Sequence, residues 1–323
     1  MKQLKFSKST TLGVVIAGAS LIAAGSAFAA PTTVPMASIA DSWHNLGTGN
    51  NKGTTPNGGA PANASSATAE VCVFCHTPHG GDNAAAVPLW NRVLSAPTIY
   101  TRYSSLGTST FDAQEAEIGS VTIACLSCHD GTNAIDSVIN APGSGGYNAG
   151  GARFGTMVGD DVNANGQLAA GIVQNLGTDL SNDHPVSMQY AGGGVVGNTL
   201  GPTNDIDFIA NGNPKVHPVY QLQSSAVTVP NSAIAQLWWI ERGADSLTAA
   251  ARDREDIILY SRTDPNVGNV EQPFVECGSC HDPHNVDNPT FLRVSNGVNT
   301  DSVDGFPNAN GSPSGLCLSC HIK

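Results

Sequence analysis

One spacing of ligating side chains occurs four times in the chain. Two cysteines stand three residues apart, and a histidine directly follows the second. Cys72, Cys75 and His76 lie in CVFCH, and Cys125, Cys128 and His129 in CLSCH. Cys277, Cys280 and His281 lie in CGSCH, and Cys317, Cys320 and His321 in a second CLSCH. No cysteine is left over. Disulfides in an exported chain would use the thiols but leave the following histidines unexplained. Zinc takes paired Cys-x-x-Cys motifs but does not call for a histidine after every second cysteine. A redox dithiol of the thioredoxin kind belongs in a βαβ setting, and none surrounds these four copies. Covalent attachment of c-type haem uses every part of the motif. Two thioether bonds clamp the porphyrin, and the adjacent histidine becomes the proximal iron ligand. The sequence therefore predicts four covalently bound haem c groups, numbered below by their motifs.

An iron held by one histidine has a second axial position, and its occupant decides the chemistry. A second histidine closes the site for electron transfer, whereas an open position can bind and reduce a substrate. Of nine histidines, five are not proximal: His44, His79, His184, His217 and His284. Four haems need four, so the count favours closed bis-histidine sites. His79 in HTPH and His284 in HDPH each follow a proximal histidine by three residues. The thioethers pin that peptide to the proximal side of its own ring, so each histidine is expected to reach a neighbouring haem. We assign His79 to haem two and His284 to haem four. His184, in LSNDHPVS, and His44, in DSWHNLG, are expected at haems one and three, with His217 in KVHPVY as an alternative distal ligand.

The motifs fall into two pairs, 72 to 135 and 277 to 323, which read as dihaem units. Besides the motifs, PLWNRV from Pro88 answers PTFLRV from Pro289, aligning Trp90 with Phe291, and ACLSCH answers LCLSCH. An internal duplication is the natural reading. Residues 30–71 read as an N-terminal arm and flexible loop carrying one distal histidine. Residues 136–276 read as a haem-free linker region, broken by glycine-rich stretches. Within it VYQLQ, AVTV, LWWIE and IILY give strand signals, the last two as a hairpin that sends Trp238 and Trp239 to opposite faces. With 36 glycines and few aromatics, the chain would bury a thin core unaided. The expected fold is mostly irregular, with short helices and a few short strands wrapped round a four-haem core.

Residues 1–29 read as a secretory signal peptide: Lys2, Lys5 and Lys8, an apolar run from Leu12 to Ala24, then Ala27-Phe28-Ala29. Residue 30 is alanine, so no lipid anchor is indicated. Beyond position 29 there remain 11 basic and 26 acidic side chains, a net charge of −15. That balance argues against nucleic acid as a partner. No later stretch is long and apolar enough to span a bilayer. DDVNANGQ resembles the start of a calcium loop through Asp161, Asn163, Asn165 and Gly166, but the twelfth position is Ile172. It reads as a polar turn, with calcium as the other reading. No phosphate loop, nucleophile elbow or CxxCK motif is present.

The stretches DSWHNLG, VCVFCHTPHGG, PLWNRV, ACLSCHDGT, LGTDLSNDHPVS, VECGSCHDPHN, FLRV and LCLSCH resemble the doubled-CXXCH multihaem cytochromes of metal-reducing bacteria. Among these the chain is similar to the tetrahaem OmcE-like extracellular cytochromes. The resemblance implies haems stacked into filaments that carry electrons over long distances, with one distal histidine taken from the neighbouring subunit. It carries His44, His79, His184 and His284 over as distal ligands. His44, on the N-terminal arm, is our expected shared ligand. The expected role is an exported electron carrier, not an enzyme, polymerised end to end at or outside the cell surface. Its partners would be other redox proteins and external acceptors. A monomeric periplasmic shuttle and a multihaem reductase with an open iron are the alternatives.

Overall fold

The computed structural model describes residues 39–48, 64–109, 111, 113–143, 145–193, 203–205, 207–209, 221–226, 236–241, 256–264, 270–286, 288–294 and 315–322. The signal-peptide reading and His217 lie outside these residues. Among the described residues the helices are short, and each α-helix carries all or part of a cysteine motif: α1 is Ser120–His129, α2 is Cys277–Cys280 and α3 is Gly315–Leu318. Motif one forms a single 3-10 turn, Cys72–Phe74. The motif itself selects this geometry. In motifs one, three and four the histidine amide donates to the first cysteine's carbonyl, at 2.8, 3.0 and 2.9 Å. One helical turn puts residues three and four apart on one face, so both cysteines and the histidine present together. Among the described residues no helix is long and apolar enough to cross a membrane.

The strands form two small antiparallel pairs and one larger sheet. β1 (Ala64–Ser65) pairs with β4 (Met157–Val158), and β2 (Ser137–Asn140) with β3 (Tyr147–Arg153). The five-stranded sheet runs β5 (Met188–Gln189), β9 (Val270–Val275), β8 (Ile257–Asp264), β7 (Gln236–Glu241), β6 (Gln221–Ala226). The expected LWWIE–IILY hairpin is its β7–β8 step, with Trp238 opposite Leu259 and Ile240 opposite Ile257. Strand alternation sends these four to one face, where they pack with Met188, Tyr190 and Val275. Trp239 lies on the other face and donates Nε1–H to Glu241 Oε2 at 3.1 Å. Both indoles are buried, so both faces of the sheet are covered.

The buried side chains form three modest clusters, and each borders a motif cysteine. The sheet cluster reaches Leu316, Cys320 and Ile322 around motif four. A second cluster, centred on Trp90, Ile123 and Leu126, meets Cys75, as does a third around Phe74, Met157 and Leu168.

The halves meet through a buried polar junction. Glu276 closes β9 and caps α2 through a capping box with Ser279. Its carboxylate accepts from Thr122 on α1 at 2.6 Å, from Ser187 at 3.0 Å and from Arg262 Nη1 at 3.0 Å. Thr122 Oγ1 also accepts the Cys277 amide at 3.0 Å. Burial pushes Glu276 upward, with Arg262 and the two hydroxyls opposing that shift. A buried carboxylate is tolerable only when its acceptor sites are filled in this way.

The duplication is visible in the backbone, but one residue out of the sequence register. His76 forms an isolated bridge with Trp90, and His281 with Leu292. The Thr77 amide donates to Leu89, and the Asp282 amide to Phe291. Pro88 is therefore equivalent to Thr290, and Trp90 to Leu292 rather than Phe291. Arg92 and Arg293 are consequently not equivalent. Arg92 is buried and spans the first unit, donating to the carbonyls of Ser127, Ala134 and Ile135. Arg293 Nε donates to Gly278 inside its own motif, at 2.9 Å.

Candidate haem-binding sites

The imidazoles of motifs one, two and three are each held at Nδ1 by a backbone carbonyl. His76 Nδ1 lies 2.8 Å from Pro88 O, His129 Nδ1 2.8 Å from Gln174 O, and His281 Nδ1 2.8 Å from Thr290 O. Such a bond fixes the tautomer and leaves Nε2 for a metal. The anchoring turns are strained in both halves. Leu89 next to Pro88, and both Thr290 and Phe291, have φ near +55° to +60°. Bulky or β-branched residues rarely take that conformation. Here it aims the carbonyl at the imidazole.

All eight cysteines are free thiols, which removes the disulfide reading. Burial pushes Cys75 up to about 12 and Cys280 up to about 11. Such thiols are protonated at neutral pH, whereas Cys277 is lowered by its hydrogen bond with Cys125. Cys125 and Cys277, from different halves, hydrogen-bond each other, and Cys125 is raised as the donor. Among the described residues no three His, Cys, Asp or Glu side chains are arranged to hold a simple metal ion.

Two pairs of imidazoles face each other across long sequence separations. His76 and His284 have ring centroids 6.3 Å apart with planes at 22°. His44 and His129 are 6.2 Å apart with planes at 72°. Two imidazoles on opposite sides of one metal ion, bonded at about 2 Å each, have centroids roughly 6 Å apart. The donor set therefore fits haem iron at both places. These partners are not the ones the sequence suggested. His284 faces proximal His76 of the first unit, not motif four, and His44 faces His129 of motif two, not haem one or three.

The HDPH turn of the second unit serves both pairs. It supplies His284, and the Pro283 backbone hydrogen-bonds His44, whose ring stacks on Phe291 at 4.3 Å. Burial, reinforced by His129, lowers His44 to about 4, so the ring stays neutral and able to ligate. Burial likewise lowers His129. His284 Nδ1 lies 3.5 Å from Asp282 Oδ1. That contact holds Asp282 down to about 2 and raises His284.

The remaining sequence candidates are placed separately. His79 and His184 are exposed, and His184 Nδ1 contacts Pro185 O at 3.0 Å. The ring of His321 lies 4.4 Å from that of Phe208. The calcium-like stretch is a turn, with Asn163 Oδ1 accepting the amides of Asn165 and Gln167. Sequence reasoning missed the anchoring carbonyls, which carry no side-chain signal. It also passed over Asp282, although HDPH against HTPH displayed it.

The paired thiols with anchored imidazoles are the donor set that covalent c-type haem calls for, and they suggest a haem-binding electron-transfer cytochrome. Consistent with that class, residues 271–323 match the doubled CXXCH motif family. No curated protein matches the chain.

Proposed function

We propose that the chain is an exported tetrahaem cytochrome c that conducts electrons through closely packed bis-histidine haems and polymerises into an extracellular filament. The observation that carries the reading is the pair of facing imidazole couples, His76–His284 and His44–His129, at bis-ligand spacing. Bound haem supplies a one-electron iron couple. The protein's residues clamp it through the cysteines, orient the axial rings through backbone carbonyls, and close the iron to substrates. This favours electron transfer over reduction of a small molecule.

Contact between Cys125 and Cys277 supports a continuous path, because it brings the attachment edges of haems two and three together. Haems three and four then draw on His79, His184 and His217. With His44 engaged inside its own chain, we place the shared ligand among the exposed histidines instead, as a subunit-crossing ligand must be. Electron microscopy of the native secreted protein, with haem stoichiometry on the same sample, tests the proposal. Thin filaments with four haems per subunit are expected. Discrete particles of one subunit mass would refute polymerisation and leave a soluble carrier.

A further inference from the structure

His284 differs from the other anchored imidazoles of the described residues. His76, His129, His281 and His184 rest on carbonyl oxygens, and His44 on the backbone of Pro283. His284 rests on a carboxylate, with Nδ1 3.5 Å from Asp282 Oδ1. The carboxylate is fixed by more than this contact. Its Oδ1 accepts the His284 amide at 3.0 Å, and its Oδ2 lies 3.7 Å from Arg293 Nη1. The Asp282 amide is tied to Phe291 O at 2.8 Å.

The other half supplies the comparison. Thr77 occupies the same place in HTPH, and its amide makes the matching bond to Leu89 O at 2.9 Å. Its hydroxyl donates to His79 O at 3.0 Å and accepts from Asn140 Nδ2 at 3.0 Å. One copy of the duplicated turn thus carries a charge behind its histidine and the other does not. A carboxylate behind a ligating imidazole makes it a more basic donor. A more basic donor, with added negative charge nearby, favours ferric over ferrous iron and lowers the reduction potential.

We propose that Asp282 is a positioning residue that acts through His284 to hold the potential of haem one below that of haem two. The inference rests on the His76–His284 pairing proposed above. An electron shared by the first unit would then reside mainly on haem two, beside the junction to the second unit.

The test is spectroelectrochemical titration of the holoprotein and of Asp282→Asn. We expect one haem to become at least tenfold easier to reduce, about 59 mV for a one-electron couple, with its low-spin spectrum retained. Asp282→Glu should restore most of the difference. Asp282→Thr, which gives this turn the residue of the other one, also removes the carboxylate and serves if Asp282→Asn does not assemble. Potentials unchanged in Asp282→Asn, or in Asp282→Thr where that variant is used, would overturn the proposal. His284→Ala separates the two levels of failure. Loss of one low-spin haem there, with unchanged potentials in Asp282→Asn, refutes the tuning role alone. No loss of low-spin haem in His284→Ala refutes the pairing, and the tuning role with it.

Discussion

The two imidazole couples differ in ring orientation, and ferric iron reports that difference. In a low-spin bis-imidazole haem, near-parallel rings lift the degeneracy of the iron dπ orbitals and give a rhombic resonance. Near-perpendicular rings leave those orbitals almost degenerate and give a signal dominated by one large g value. The planes of His76 and His284 are 22° apart, and those of His44 and His129 are 72° apart. Haem one should therefore contribute a rhombic signal and haem two a large-g signal. In each of His284→Ala and His44→Ala, one of four low-spin centres is lost and a high-spin centre gained. Low-temperature electron paramagnetic resonance of the oxidised protein reads this as a loss of about one quarter of the low-spin intensity. Subtracting the spectrum of His284→Ala from the parent should give the rhombic line, and that of His44→Ala the large-g line. Added imidazole should restore each. If both variants remove the same line, or the lines are interchanged, the pairing is wrong. A variant that remains wholly low-spin would show that its histidine ligates nothing.

Three further outcomes follow from the packing. Arg92→Met strips charge-assisted hydrogen bonds from three buried carbonyls and should cost about 3–5 kcal/mol in chemical denaturation, against about 1–2 kcal/mol for Arg293→Met; equal costs would contradict their different environments. Gly278→Leu puts the residue of motifs two and four where a Cβ meets the Tyr260 hydroxyl and Val121, so it should cost about 1–3 kcal/mol and lower haem occupancy at motif three in intact-mass measurements. His44 is lowered from 6.5 to about 4, so the folded state prefers it neutral. Its contribution to stability is complete above 6.5 and is lost as pH falls through that value toward 4. The rhombic signal should accordingly fade in acid before the large-g one, because Asp282 raises His284 and favours its protonation while burial holds His44 down to about 4; the opposite order would contradict the enclosure of His44 by His129, His281 and His284.

The covalent chemistry was legible because each motif is local: four cysteine–histidine turns need only one helical turn each. The β7–β8 hairpin was legible for the same reason, since alternation over a few residues decides it. The register of the duplication was not. Sequence identity aligns Arg92 with Arg293, yet the backbone makes Pro88 equivalent to Thr290. What the two halves share is a carbonyl aimed at an imidazole, and a carbonyl has no letter in the sequence. Glu276 was equally silent, because its burial depends on Thr122, Ser187 and Arg262 arriving from three other segments.

The facing imidazoles come from segments that nearness in sequence does not bring together. A covalent clamp would keep His79 and His284 from folding back over their own haems, but it leaves open which neighbour each turn meets. Packing of α1 against α2 through Thr122 and Glu276 decides that for His284, and the same packing brings Cys125 to Cys277. The second unit's turn thereby lies against the first unit's proximal rings. The haem-free region takes part as well, since Gln174 within it anchors His129 and β9 leads directly into motif three. A dihaem unit cut away from the rest would therefore lack groups that complete its sites. His284 would be gone from His76, and the Pro283 and Phe291 contacts would be gone from His44. On the proposed pairing, closure of the first two irons would thus be a property of the assembled chain, which the duplicated motif by itself does not provide.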